Sequence, residues 1–240
     1  MPERTLKQRI HNDDILIGVS TPISTPKTRL EEILGKDDYA FVSVDSQHAP
    51  LNEESLVAFC GMANDMGIHV QLRIKHTRHT YLIGNYLDLG PSGVEVPEVM
   101  DEETAEEALK FFYYPHVGKR SMGGTYRVGL KGHPGRSEYA EWWNNYGVLW
   151  FQIESVEATL NGHQLAKPGV DCLSFGTSDM SFSIEAHPNG PFKAVDDCVR
   201  HLVKQVEGKP TKICFRNYEP SQRQKYIDMG VTVLLERPQV

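Results

Sequence analysis

The amino-acid sequence predicts a (β/α)₈ barrel, a closed ring of parallel strands surrounded by helices. Eight short apolar runs alternate with helical patterns along most of the 240 residues. The runs are rich in Val, Ile, Leu and Phe without a clean polar alternation, which is typical of strands buried on both faces. The length also suits this fold, because such barrels commonly contain about 250 residues. We therefore predict one domain that spans residues 1–240.

The eight predicted strands are short, and helical patterns fit between several of them. They occupy residues 15–19, 40–45, 69–74, 93–97, 148–153, 171–176, 212–216 and 231–236. The competing fold is an open doubly wound sheet, which should carry a Gly-rich phosphate-binding turn after its first strand. The sequence GVSTPISTP at that place is a poor turn of this type. A closed barrel is therefore the better prediction.

Capping residues mark several of the predicted helices. Asn52 is expected to cap a helix that Gly67 ends, and Asp101 is expected to cap the helix EETAEEALKFF. Pro220 suits the first turn of a helix that ends near Gly230. The long segment 113–145, with its glycines, arginines and aromatic residues, is predicted to form an extended loop over the mouth of the barrel.

The composition excludes several classes of partner. A net charge of −7 and an isoelectric point near 5.8 argue against nucleic acid or an anionic membrane, because both require a basic face. No window approaches the roughly 18 apolar residues of a membrane helix, and the polar N-terminus lacks the apolar core of a signal peptide. The four cysteines have no CxxC spacing, so buried thiols in a reducing cytosol are expected. These features predict a cytoplasmic protein.

Polar residues lie at the carboxyl ends of several predicted strands. Asp45 ends the second strand with His48 just beyond it, and Arg73 lies at the end of the third. Glu154 follows the fifth strand and Asp179 follows the sixth. In a barrel these ends converge on one mouth, where the active site is usually built. Taken singly, each acid is more often a helix cap or an ion-pair partner, but their coincidence favours a site.

Glu154 and Asp179 have a spacing that suits a shared cation. They are 25 residues apart, about one strand–helix–strand unit, so adjacent strands can bring both carboxylates to one ion. Two carboxylates, together with water and a bidentate substrate, are the ligands that Mg²⁺ or Mn²⁺ prefers.

Six segments of the chain, in one order, carry a family resemblance. They are VDSQHAP, LRI, NYLDLGPSGVEVPEV, YYPHVGKRSMGG, FQIES and GVDCLSFGTSDMS. Each resembles a motif of the HpcH/HpaI aldolases, the metal-dependent pyruvate aldolases related to 4-hydroxy-2-oxoheptanedioate and 2-keto-3-deoxy-rhamnonate aldolases. Each motif alone is weak, whereas six in the right order are strong evidence of resemblance.

The resemblance implies a metal site and a place for the ketone. Glu154 and Asp179 would hold a divalent ion (Mg²⁺ or Mn²⁺, with Co²⁺ as a third choice), and Gln152 would line the same site. Arg73 would bind the ketone oxygen of the substrate and stabilise the enolate.

The resemblance also implies residues for proton transfer and for the carboxylate of the substrate. His48, oriented by Asp45, would help to move the proton. The backbone around Gly176, Thr177 and Ser178 would receive the carboxylate.

A second group of candidates comprises Gln47, Asp88, Arg120 and His76. Gln47 replaces the usual Glu of the family, and Asp88 matches an acid that is thought to reach a neighbouring subunit's site. Arg120 lies in a loop motif in which Ser121 replaces the usual Gly. His76 belongs to a His-x-x-His pair without an evident third ligand, so a polar loop is preferred to a zinc site. The final helix of the family is expected to be missing or shortened, although a homo-oligomer is still predicted.

The implied activity is that of a class II aldolase, a carbon–carbon lyase that cleaves or forms a 4-hydroxy-2-oxo acid through a metal-bound pyruvate enolate. Its partners would be a small 2-oxo acid and an aldehyde, with no nucleic acid and no membrane. A fixed cation and Arg73 would stabilise the charge of the enolate, and an imidazole titrates near working pH. The alternatives are an oxaloacetate-type decarboxylase or carbon–carbon bond-forming synthase on the same site, a coenzyme A ester lyase, and a non-catalytic metal- or metabolite-binding relative.

Overall fold

A computed structural model describes residues 4–216 and 218–238 of the protein. Its eight parallel strands form a closed barrel in sequence order, which confirms the predicted (β/α)₈ architecture. Every observed strand overlaps a predicted one. The strands are β1 Leu16–Ser20, β2 Tyr39–Asp45, β3 His69–Arg73, β4 Gly93–Val96, β5 Val148–Ile153, β6 Cys172–Phe175, β7 Lys212–Arg216 and β8 Val233–Glu236.

Helices follow or precede the strands around the outside of the barrel. They are α1 Leu6–His11, α2 Lys27–Leu34, α3 Glu53–Asp65, α4 Ile83–Leu87, α5 Glu102–Phe112, α6 Arg136–Tyr146, α7 Val156–Leu160, α8 Gly162–Leu165, α9 Thr177–Ala186, α10 Val195–Gln205 and α11 Arg223–Asp228. Two 3₁₀ helices, Thr77–Leu82 and Pro220–Gln222, precede α4 and α11. Within the described residues no helix follows β8, and none of the helices described is long and apolar enough to cross a membrane.

The predicted caps are confirmed. The Asn52 carboxamide oxygen accepts the Ser55 N–H at 2.9 Å, and Asp101 accepts the Thr104 N–H at 2.8 Å, so both begin their helices as expected. Gly67 follows α3 with φ of 73°, a left-handed conformation that glycine adopts without steric cost.

The prediction of an extended loop over the barrel mouth is wrong in two respects. Residues 136–146 form helix α6, so only the first part of the segment is irregular. That part begins at the opposite end of the barrel, because α5 runs back towards the amino ends of the strands. There the Tyr113 hydroxyl donates to the Gly169 carbonyl, just before β6, at 2.7 Å. The segment then packs on the side of the barrel, where Arg120 pairs with Asp88.

The interior of the barrel has an apolar lower part and a polar upper part. Alternate residues of a strand point to the same face, so the inward position of Phe41 in β2 is repeated at Ser43 and Asp45. The apolar part is closed below by helix α1. Its buried residues are Leu6, Ile10, Leu16, Phe41, Val148, Trp150, Cys172, Cys214, Val233 and Leu235. Above them, the buried polar residues include Ser43, Gln71, Arg73, Glu95, Gln152, Ser174 and Arg216.

Gly18 of β1 is a place where the packing of the barrel interior permits no side chain. A Cβ atom there would lie 2.2 Å from the Phe41 ring, which is itself buried edge-on against Trp150 at 5.1 Å. We expect Gly18→Ala to lower the free energy of unfolding by about 1–3 kcal/mol, because overpacking forces neighbours out of their rotamers. Urea denaturation followed by tryptophan fluorescence measures this change.

The matched control is Gly61→Ala in helix α3, where an added Cβ meets nothing within 4 Å. This variant should gain about 0.5–1 kcal/mol from the better helix propensity of alanine. If both variants shift stability in the same direction, the packing argument for Gly18 is wrong.

Candidate active site

Arg73 occupies the centre of the barrel mouth and is held by two other strands. Its Nε and Nη2 donate to the two carboxylate oxygens of Asp45 at 2.8 and 2.6 Å. Its Nη1 donates to the Gln152 side-chain oxygen at 3.0 Å. Asp45 and Arg73 are register partners in β2 and β3, so the pairing follows from strand alignment. The structure therefore brings three of the predicted site residues together.

The predicted orientation of His48 by Asp45 is corrected by this geometry. Arg73 uses both oxygens of Asp45, and the Gln47 N–H donates to one of them at 2.9 Å. Arg73 and this hydrogen bond hold the pKa of Asp45 below its usual range against the opposing effect of burial. Among the described residues His48 forms no hydrogen bond and is exposed in the turn after β2. Asp45 therefore positions Arg73, and the catalytic role of His48 stays a prediction.

Glu154 and Asp179 line one cavity of about 510 Å³. Glu154 is 7% exposed directly after β5, whereas Asp179 is exposed in the first turn of α9. Burial and the charge of Asp179 raise the pKa of Glu154 to about 7, with Glu95 and Glu98 contributing and Arg73 opposing. The two predicted metal-binding acids therefore share a cavity, and the charge of Asp179 destabilises the negative charge of Glu154.

The carboxylate of Glu154 lacks partners in the described part of the chain. Its Oε2 is buried and accepts no hydrogen bond. Gly176 has no side chain, and the carboxylate of Glu154 occupies the space that one would need. A Cβ on Gly176 would lie 1.9 Å from Glu154 Oε1. A buried carboxylate without partners is costly unless a cation neutralises it, and oxygen donors of this kind suit a hard divalent ion. The residues present therefore fit such a metal.

The histidines near this cavity do not complete a metal-binding cluster. Within residues 4–216 and 218–238, no three His, Cys, Asp or Glu side chains form a metal-binding group. His76, which lines the same cavity, accepts the Arg78 N–H at its Nδ1 and begins the 3₁₀ helix. His79 contacts the Tyr86 hydroxyl through its Nδ1 at 2.8 Å. The His-x-x-His pair thus has structural roles, and open coordination positions suit water and substrate.

The amino end of helix α9 lies beside this cavity. The first N–H groups of a helix have no intrahelical acceptors, and the helix dipole favours an anion there. Gly176 donates its N–H to the Ile153 carbonyl at 3.2 Å, so it is not available to a ligand. Thr177 and Ser178 begin the helix. Within the predicted trio of Gly176, Thr177 and Ser178, these two residues have backbone N–H groups that suit a carboxylate.

Gln47 and Glu98 meet at the edge of the same mouth. The Gln47 amide nitrogen donates to Glu98 Oε1 at 2.8 Å, and Glu98 lines the cavity of Glu154. Glu98 has a left-handed backbone with φ of 51°, which is uncommon for a residue other than glycine. Sequence reasoning missed Glu98, although it lies just beyond the end of β4, as Glu154 lies just beyond the end of β5.

Sequence reasoning also missed a buried ion pair in the polar layer. Glu95 of β4 is fully buried, and Arg216 of β7 donates to both of its oxygens from Nη1 at 2.6 Å. Ser174 of β6 also donates to Glu95. The sequence contained a signal for this pair, because Glu95 and Arg216 occupy inward-facing positions of their strands, as Arg73 does.

Asp88 and Arg120 are paired with each other, away from the Glu154 cavity. Arg120 Nη2 donates to Asp88 Oδ1 at 2.9 Å, and the guanidinium lies over the rings of Tyr114 and Trp143 at 4.7 and 4.5 Å. Asp88 ends helix α4 on the outer side of the barrel. A role of Asp88 in a neighbouring subunit's site stays a prediction.

The chain resembles known proteins over most of its length. The family model for HpcH/HpaI aldolase/citrate lyase matches residues 26–216. The chain belongs to this family. Membership assigns it to the enzymes that break or form carbon–carbon bonds. Among curated relatives, 5-keto-4-deoxy-D-glucarate aldolase of Shigella boydii is 27% identical over 222 residues, which cover 90% of this chain and 80% of that protein.

Solved structures share the fold of this chain. An HpcH/HpaI aldolase from Desulfitobacterium hafniense superimposes with a TM-score of 0.83 at 22% identity, covering 98% of this chain and 90% of that one. Citrate synthase SbnG superimposes with a TM-score of 0.81 at 25% identity, covering 98% of this chain and 91% of that one.

The raised pKa of Glu154 predicts how stability depends on pH when no divalent ion is present. Between the ordinary value of 4.5 and about 7, the folded protein keeps a proton that the unfolded chain releases. The free energy of unfolding should therefore fall as pH rises through this range, by up to about 3 kcal/mol. Denaturant titrations at pH 5 and pH 8 in EDTA measure the fall.

Glu154→Gln should reduce this pH dependence, because the amide does not titrate. The control is Glu185→Gln, an exposed acid later in α9, which should keep the dependence of the wild type. An unchanged dependence in Glu154→Gln would contradict the assignment.

Proposed function

We propose that the protein is a metal-dependent aldolase of 4-hydroxy-2-oxo acids, which cleaves them to pyruvate and an aldehyde and catalyses the reverse reaction. The observation that carries the proposal is the buried, unpartnered oxygen of Glu154 in one cavity with Asp179. Arg73 lies close enough that its charge opposes the rise in the pKa of Glu154. The names of the curated aldolase relatives support the same activity.

Glu154 and Asp179 would hold the divalent ion, with Gln152 beside them. When bound, the ion supplies a fixed positive charge that stabilises the developing enolate oxygen. The proposal covers Mg²⁺, Mn²⁺ and Co²⁺, because these hard or borderline divalent ions all accept carboxylate ligands.

Arg73 would bind the ketone oxygen. Asp45 and Gln152 already fix its guanidinium, so little side-chain entropy is lost when substrate binds. A preorganised charge of this kind stabilises an enolate more than a flexible one does. The N–H groups at the start of α9 would receive the adjacent carboxylate of the substrate.

The reaction requires two proton transfers. A base removes the C4 hydroxyl proton, the C3–C4 bond breaks, and its electron pair forms the enolate of pyruvate. A proton is then delivered to C3. We propose that His48, exposed at the mouth beyond β2, takes part in these transfers, because an imidazole both accepts and donates a proton near neutral pH.

A second candidate is a synthase or decarboxylase that uses the same enolate. The likeness to citrate synthase SbnG over 98% of the chain favours it. The amide of Gln47, where the resemblance expects a carboxylate, is consistent with altered proton transfer. Incubation with oxaloacetate and a panel of aldehydes distinguishes the two, because a pure decarboxylase releases pyruvate without forming aldehyde adducts.

We expect Glu154→Gln and Asp179→Asn each to lower kcat/KM of aldol cleavage at least about 100-fold, because each removes a charged ligand and the electrostatic stabilisation that it holds in place. Each should also weaken Mn²⁺ binding measured by isothermal titration calorimetry. Glu185→Gln, a matched change outside the cavity, should leave both quantities within a factor of about two. Full activity of either site variant in EDTA would refute the proposal.

A further inference from the structure

Glu98 is an acid of the Glu154 cavity that would not bind the metal and does not cap a helix. The cavity is lined by four acids, Glu98, Asp101, Glu154 and Asp179. Under the proposed function Glu154 and Asp179 would hold the divalent ion. Asp101 begins helix α5, where it accepts the Thr104 N–H. Glu98 is therefore the acid of this lining that is left to act on a substrate.

The backbone of Glu98 is fixed on both sides. Before it, the Pro97 carbonyl accepts a hydrogen bond from the Thr77 hydroxyl at 2.9 Å. After it, the Val99 N–H donates to the Gln152 carbonyl at 3.1 Å. Between these contacts Glu98 has a left-handed backbone with φ of 51°, a conformation that persists in such a residue where the surroundings enforce it. The loop after β4 therefore presents Glu98 from a fixed backbone position.

Gln47 fixes the side chain of Glu98 as well. Its amide nitrogen donates to Glu98 Oε1 at 2.8 Å, and its backbone N–H donates to Asp45 Oδ1 at 2.9 Å. Asp45 binds Arg73 through both oxygens, so a chain of contacts joins Glu98 to the arginine that would bind the ketone. Among residues 4–216 and 218–238, Glu98 Oε2 has no hydrogen-bond partner, and Glu98 is exposed. One oxygen is thus held, and the other is available.

A base for the C4 hydroxyl of a 4-hydroxy-2-oxo acid must lie near the ketone site, because C4 is only two carbon–carbon bonds from C2. It acts from within hydrogen-bond reach of the proton that it removes. Glu98 lines the cavity of the metal-binding acids and is linked to Arg73. In the described part of the chain, His48 is not among the residues that line this cavity. Glu98 is therefore better placed than His48 for this proton.

We propose that Glu98, held by Gln47, is the base that takes the C4 hydroxyl proton of the substrate. The inference rests on the proposed aldolase function and assigns the first of its two proton transfers. As Oε2 takes the proton, the electron pair of the O–H bond forms the aldehyde carbonyl. The C3–C4 bond breaks, and its electron pair forms the enolate of pyruvate. Glu98 releases its proton to solvent when the aldehyde leaves, and the enolate is protonated at C3, the transfer left to His48.

The experiment compares two reactions that form the same enolate. Aldol cleavage requires a base at the C4 hydroxyl, whereas decarboxylation of oxaloacetate releases CO₂ and removes no hydroxyl proton. With Mn²⁺, we expect Glu98→Gln to lower kcat of cleavage about 100- to 1,000-fold and to leave kcat of decarboxylation within a factor of about three. The new amide oxygen still accepts from Gln47, so the loop keeps its contact.

Two control variants separate the loss of a base from other effects. Asp101→Asn removes a charge from the same cavity and keeps a helix cap, so the ratio of the two kcat values should stay within a factor of about two of the wild type. Glu98→Gly protects the test against misfolding, because glycine adopts the left-handed backbone without steric cost. This variant should show the same selective loss of cleavage as Glu98→Gln.

Gln47→Leu tests the positioning role of the amide. It leaves the carboxylate of Glu98 in place and removes the donor that holds it. We expect kcat of cleavage to fall about 3- to 10-fold while decarboxylation is kept, because a base that is less well oriented transfers the proton less often. A loss of both reactions, or of neither, would contradict this role of Gln47.

The outcomes distinguish this proposal from the proposed function. An equal loss of both reactions in Glu98→Gln, or full cleavage by that variant, would overturn the role of Glu98 while enolate formation stands. The same conclusion follows if the wild type decarboxylates oxaloacetate but cleaves none of the adducts of pyruvate with acetaldehyde, glycolaldehyde and succinic semialdehyde. A wild type that accelerates neither reaction beyond Mn²⁺ alone would refute the proposed function, and the role of Glu98 with it.

Discussion

The two parallel hydrogen bonds between Arg73 and Asp45 are the interaction on which the arrangement of the barrel mouth depends. They join β2 to β3, and the third contact of Arg73 extends the link to Gln152 in β5. Without Arg73, the carboxylate of Asp45 would add an unpaired negative charge to the mouth that already contains Glu154. Because Asp45 is satisfied, the excess negative charge of the mouth is concentrated at Glu154, where a cation can relieve it.

The strands and the polar strand ends were predictable, because both depend on local sequence. The role of Asp45 was not, because proximity to His48 in sequence says less than register with a neighbouring strand. Asp45 points inward with Ser43, so its nearest charged group is Arg73 of the next strand. Sequence reasoning missed Glu95 and Arg216 for a related reason. A charge within an apolar run is visible in the sequence, but its partner across the barrel is known only from the closed structure. The segment 113–145 was misplaced because composition does not reveal at which end of the barrel a helix ends.

Glu98 gives the substitution at Gln47 a structural interpretation. The resemblance expects a carboxylate at position 47, and the chain has an amide there. That amide donates to Glu98, which reaches the same edge of the mouth from the loop after β4. Glu98 contributes to the raised pKa of Glu154, so a carboxylate still acts on the site. Part of the negative field around Glu154 thus comes from Glu98, which also holds the side chain of Gln47.

The concentration of acids around Glu154 also bears on the direction in which a substrate would bind under the proposed function. A 2-oxo acid offers a carboxylate next to a ketone, and this pair of oxygens would match a cation held by Glu154 and Asp179 and flanked by the first N–H groups of α9. The far end of the same molecule has no adjacent ketone, so it gains little from that place. Under the proposed function, the acids around Glu154 would therefore select the 2-oxo acid end of the substrate, with Arg73 near enough to receive the ketone oxygen.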